Sequence, residues 1–298
     1  MSASRYQCPL LSHAATSSHA VVFPWTTAAL HDLISCLDLR SHGMNAKCRV
    51  ALYLPNGPLA ATVLLAAMVN YCAVPLDPQE PVAALAARLV SSRARCLLTV
   101  REFLDVAQAA ATSASLPLVV LEPAPLMPPG GFIVPRPLTV IAAGEFTPSL
   151  HNAPDDVVLL LHTSGTTGEP RCVRHTLRAL LVSARALAES LALSSEDLGL
   201  NMMPMHHIGG ITCNLLAPLF AGSRMLFLPR FDPHEWWRLL YLHEATWCYA
   251  VPAMWRAILC ARSTAAVTLP QCNLSLRLIR SGAAALSQCA RLPRPIDL

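Results

Sequence analysis

The chain has 298 residues, of which 54% are apolar and 13% charged, and its formal net charge is +4. That composition calls for a sizeable core, in one large domain or two ordinary ones. The bases are arginines apart from Lys47 and are scattered rather than clustered, which excludes the basic stripe with interleaved aromatics of a nucleic-acid groove.

After an amino-terminal tail of residues 1–24, Leu30, Leu33, Ile34 and Leu37 fall on one face of a helical pattern. Arg49 to Leu54 reads as a buried strand stopped by Pro55-Asn56-Gly57-Pro58. Leu59 to Val69, almost wholly apolar, reads as a helix buried between layers. Ala73 to Leu76 is a strand closed by Asp77-Pro78; Pro81 opens a helix to Ser92; Cys96 to Val100 is a third strand. Arg101 to Ala111 is helical and Leu116 to Leu121 returns to strand, an alternation that builds a parallel sheet covered by helices. The proline-rich stretch 122–137 reads as an irregular connector between a lobe of residues 25–121 and a lobe of residues 138–298.

In the second lobe Thr176 to Leu191 is amphipathic, with Leu177, Leu180, Leu181, Ala184, Leu187, Ala188 and Leu191 at three-and-four spacing. Leu198 to Met203 is a strand broken by Pro204 to Gly210, Ile211 to Phe220 a buried helix, and Arg224 to Leu228 another strand. Asp232-Pro233-His234-Glu235 reads as a capping box opening a helix to Glu244. Thr246 to Val251 and Leu276 to Ile279 complete the strands. Eleven cysteines, odd in number and without a Cys-x-x-Cys pair, read as reduced thiols of a cytoplasmic protein. No apolar run is long enough for a transmembrane segment, and residues 1–22 do not make a signal peptide.

The stretch from Leu159 to Arg174 carries the chemistry. An apolar strand ends in Thr163-Ser164-Gly165-Thr166-Thr167-Gly168, followed by a Glu169-Pro170 turn and the cation of Arg171. Glycine lets backbone N–H groups approach an anion and the hydroxyls add donors, so the loop is suited to phosphate. It is not a Walker loop, because Gly165 and Gly168 lie three apart and no Gly-Lys-Ser/Thr follows. The bland alternative is a polar turn between strand and helix.

This loop resembles the TSGTTGxPKG signature of the adenylate-forming (AMP-binding) superfamily, with Arg171 in place of lysine and Cys172 in place of glycine. The resemblance implies that Thr163, Ser164, Thr166 and Thr167 offer hydroxyls to the β- and γ-phosphates of ATP, that Gly165 and Gly168 admit the backbone, and that Arg171 supplies the charge. If the family glycine has positive φ, a Cβ at Cys172 costs about 1 kcal/mol or more. Pro204-Met205-His206-His207-Ile208-Gly209-Gly210 is similar to the family's histidine turn, which makes His207 the residue beside the reacting carboxylate. Leu276 to Leu286 is similar to the segment passing under adenine, with Gly282, Ala283 and Ala284 as its floor.

The implied fold is α/β: the amino-terminal domain of an adenylate-forming enzyme, with two mostly parallel sheets and helices on their faces. The implied activity is that of an acyl-CoA synthetase, leaning toward the oxalate–CoA ligases, which joins a small carboxylic acid to AMP and passes it to coenzyme A. The Tyr-Gly-x-Thr-Glu motif that holds magnesium and the lysine-bearing carboxy-terminal domain do not occur in residues 25–298. The expectation is therefore a truncated domain that is a poor catalyst alone; a non-catalytic nucleotide- or partner-binding protein is the alternative.

Overall fold

The computed structural model describes residues 21–23, 37–45, 47–123, 132–133, 152–163, 171–264 and 275–285. The helical pattern from Leu30 lies almost wholly outside them. A seven-stranded sheet and a five-stranded sheet organise these residues.

The first sheet contains β2 (Arg49–Tyr53), β3 (Cys72–Pro75), β4 (Cys96–Val100), β5 (Leu118–Pro123), β6 (Phe132–Ile133), β7 (Val157–Thr163) and β8 (Arg171–Thr176). Its order is β6-β5-β4-β2-β3-β7-β8, parallel throughout except at the β5–β6 and β7–β8 edges. The second contains β1 (Val21–Phe23), β9 (Leu198–Asn201), β10 (Arg224–Phe227), β11 (Trp247–Ala250) and β12 (Leu278–Ser281), in the order β1-β10-β9-β11-β12. Only β1 runs antiparallel to its neighbour.

Helix α1 (Pro58–Asn70) lies in the core shared by the two sheets, and ten of its thirteen residues are buried. A helix apolar all round can be stable only where every side finds a partner. Its carboxy-terminal carbonyls are covered by one side chain: Asn152 Nδ2 donates to Met68 O, Val69 O and Tyr71 O at 2.8, 3.1 and 3.0 Å. Helices α2 (Val82–Ser91) and α3 (Leu104–Ser113) pack on the other face of the first sheet through Leu85, Leu89, Ala107 and Ala110. The second sheet carries α4 (Leu177–Ser190), α5 (Ile208–Ile211), a π-helical turn (Thr212–Leu216), α6 (Ala217–Ala221), α7 (Pro233–His243) and α8 (Pro252–Thr264). Asp232 caps α7 as expected, accepting from the N–H groups of His234 and Glu235.

Three segments differ from the sequence reading. Val21–Phe23, assigned to the tail, pair with β10. Part of the proline-rich connector is ordered as an antiparallel pair, Glu122 opposite Ile133 and Pro123 opposite Phe132; Pro123 is tolerable because β5 is bonded through β4 on its other side along Leu118–Leu121. Residues after the loop, to which no strand was assigned, form β8.

Asp197 ties the second sheet together. Its carboxylate, on a residue 3% exposed, accepts from Ser194 N, Thr246 Oγ1 at 2.7 Å and Arg277 Nη2 at 2.6 Å. Burial pushes the carboxyl up, but the bonds from Arg277, Thr246 and Ser194 together outweigh it and hold it at about 2. The folded value lies below the ordinary 3.8, so the stability is present above that pH and is lost as pH falls toward 2. Asp197→Asn should remove about 2 kcal/mol at neutral pH and flatten the acid limb of an unfolding curve; an unchanged limb contradicts this.

Among the described residues four helices end on a left-handed residue that is not glycine: Arg93, Ser115, Ala192 and Glu244, at φ 52, 53, 47 and 52°. Each is closed by a six-to-one bond, such as Ala94 N to Leu89 O and Leu193 N to Ala188 O. A Cβ in this region costs roughly 1 kcal/mol. Ala192→Gly should raise thermal stability by about that amount, and so should Ser115→Gly, with differential scanning calorimetry as the measurement.

Candidate functional site

In a parallel sheet all strands end on one side, and ligands of open α/β sheets bind beyond the carboxyl ends. Because β2, β3 and β7 are parallel, Thr163 leaves the first sheet at the same edge as Leu54 and Leu76. The carboxyl ends of β9, β10 and β11 face the same region. Between the two sheets lies a cavity of about 240 Å³ lined by Leu54, Asn56, Asp77, Met202, His206 and Arg230, among others. Asn56 Nδ2 donates to Leu228 O at 3.0 Å, linking the exit of β2 to that of β10.

The strands that flank the loop expected to hold phosphate, β7 and β8, pair antiparallel with each other. Thr163 is directly opposite Arg171, and His162 opposite Cys172. Thr163 Oγ1 donates to Arg171 O at 3.4 Å. Residues alternate along a strand, so Thr163 shares the face of Leu161 and Leu159, which belong to the core between the sheets. Directly opposed residues share a face, which puts Arg171 on that side too. Ser164, Gly165, Thr166, Thr167 and Gly168 lie outside the described residues. Cys172 sits in extended backbone within β8, so the left-handed strain considered for it is not there. That strain falls instead on Ala283, at φ 68°.

The histidine turn is fixed by close packing. A Cβ on Gly210 would strike the Pro204 carbonyl, so only glycine fits. His207 occupies the position before α5 without a side-chain cap bond and is exposed, whereas His206 lines the cavity, with Nε2 3.8 Å from Asp77 Oδ2. The resemblance to the family's histidine turn singled out His207; the histidine that lines the cavity is its neighbour. Tyr249 was also missed. A Cβ on Gly209 would lie 2.8 Å from its hydroxyl oxygen, and one on Gly282 would lie 2.9 Å from the same ring. One buried ring therefore spaces the histidine turn from the segment Gly282–Ala284.

The sequence profile of AMP-binding enzymes matches residues 31–291 of this chain. The chain belongs to that family. An acyl-CoA synthetase of Alternaria alternata is 31% identical over 276 residues, covering 82% of this chain and 47% of that protein. An oxalate–CoA ligase of Arabidopsis thaliana is 31% identical over 273 residues, covering 89% of this chain and 52% of that protein. The crystal structure of ATP-bound MatB from Rhodopseudomonas palustris superposes with a TM-score of 0.71 at 22% identity, over 88% of this chain and 50% of that one. The chain thus spans about half the length of the curated relatives it matches.

In this AMP-binding domain no helix of the described residues is long and apolar enough to cross a membrane, and the described cysteines are all free. Nor do three His, Cys, Asp or Glu among those residues converge to hold a metal.

Burial, and after it the charge of His207, lowers the His206 imidazole to about 4 against a smaller opposing pull from Asp77. His206 is therefore neutral at pH 7, able to donate from one ring nitrogen and accept at the other. Since the folded value lies below the ordinary 6.5, its contribution to stability is full above that pH and declines as pH falls to about 4. An NMR titration should find the His162 and His206 imidazoles still neutral at pH 5, with the second signal absent in His206→Asn; an imidazole at position 206 titrating above pH 6 contradicts the burial argument.

Proposed function

We propose that this chain forms the ATP- and acid-binding part of an ATP-dependent acid–CoA ligase. The observation that supports it best is that Thr163, which enters the threonine- and glycine-rich segment, the histidine turn and the small residues after β12 all follow the carboxyl ends of strands in two mostly parallel sheets. In the reaction a carboxylate oxygen of the acid attacks the α-phosphorus of ATP, pyrophosphate leaves, and an acyl-AMP anhydride forms. The coenzyme A thiolate then attacks the acyl carbonyl, and AMP leaves.

The residues divide that work. The hydroxyls of Thr163, Ser164, Thr166 and Thr167, with the backbone at Gly165 and Gly168, hold the β- and γ-phosphates and so orient the α-phosphorus. Arg171 stabilises the charge that builds on departing pyrophosphate. Lys47, the only lysine, is paired with Asp156 at 2.9 Å, so it does not share this task. A guanidinium fork suits phosphate oxygens as well as an ammonium does, with two parallel donors instead of a point charge. His207 donates to the acid carboxylate, and Gly282, Ala283 and Ala284 leave room for the flat adenine.

Relatives at about 30% identity bear the names oxalate–CoA ligase and sulfoacetate–CoA ligase, which supports a short acid as the substrate. ATP should bind the chain in calorimetry, and Arg171→Ala should weaken it by at least about ten-fold, the value of one charge-assisted bond. Unchanged affinity in the variant removes Arg171 from the phosphate site.

A further inference from the structure

Arg280 is a half-buried cation that the reading above leaves unused. In the parallel register it lies beside Tyr249, and its guanidinium carbon is 5.6 Å from the centre of that ring. No carboxylate among the described residues forms an ion pair with it. Its field is felt instead by Cys213 on the π-helical turn and by the Tyr249 hydroxyl: burial raises both groups, and the guanidinium opposes that rise.

Contact with an aromatic ring satisfies the flat face of a guanidinium and leaves the donors at its rim free. A partly desolvated cation without a counter-charge gains most from an arriving anion. The position narrows what that anion is. Arg280 lies two residues before Gly282, and Tyr249 touches both Gly282 and Gly209, so the cation stands in the wall between the histidine turn and the small-residue segment. A group bound there is a short distance from an acid held by the histidine turn, because the Tyr249 ring fills the space between the two glycines.

We propose that Arg280, backed by Tyr249, recognises a second anionic group on the acid, so that the substrates are short acids bearing a further carboxylate or sulfonate. This rests on the ligase reading and names its substrate class. The planar fork meets two oxygens of either group, whereas an uncharged acyl tail would leave the cation without a partner.

Calorimetric titration of the 298-residue chain with malonate and with propionate, which have the same number of carbons, isolates the second charge. Malonate should bind at least about ten-fold tighter, the difference should vanish in Arg280→Gln, and Arg280→Lys should restore part of it. Near-ultraviolet circular dichroism reports whether each variant is folded. Equal affinities in the unmodified chain overturn the proposal, as does a malonate preference that survives Arg280→Gln. A parallel ATP titration judges the ligase reading separately. Malonate preference without ATP binding supports the anion site and overturns the ligase reading, and ATP binding without malonate preference does the reverse. If Arg280→Gln weakens ATP as much as malonate, the guanidinium belongs to a phosphate and the proposal fails.

Discussion

The constraint on which the rest depends is the burial of α1. Its segment offers no polar face to water, so the first sheet must lie against one side and the second lobe must close the other. Its ends are dealt with locally, Pro58 at the first turn needing no partner for its missing N–H and Asn152 covering the last carbonyls. With the helix in place the two sheets are held at one spacing. Their carboxyl ends then frame the cavity that contains His206 and Asp77.

Much of this was legible along the chain where one element's character depends on its own residues. Strands β2 and β3 and helix α1 are apolar runs cut by proline, asparagine or glycine, β4 is an apolar run between Arg95 and Arg101, and nothing distant is needed to read them. The elements that were missed depend on partners far away or lack a run. β1 exists only through pairing with β10, some two hundred residues on. β8 is an edge strand rich in arginine and histidine, with Arg171, Val173 and Arg174 exposed, and such strands carry polar side chains because their outer edge is open.

The site divides the same way. The segment proposed to hold phosphate is a contiguous motif that residue types single out; that its flanking strands pair with each other required the Thr163–Arg171 register. Tyr249 and Arg280 are on different strands and become neighbours only through β11–β12 register, so neither stood out in sequence. The choice of His206 over His207 as the cavity residue depends on the direction of one turn. Charge was also placed by tertiary structure: Asp197 is saturated by donors from three separate segments, while Arg280 has no carboxylate among the described residues.

The Tyr249 ring sets an order on how this protein can change. Gly209 and Gly282 are each too close to it to gain a methyl group, so mutation at either position is blocked while the ring is present. Replacing Tyr249 with a smaller residue would lift both blocks at once and open a void between the two walls. Diversification of this pocket must therefore pass through position 249 first, with the glycines following, and the effects of the three substitutions will not add.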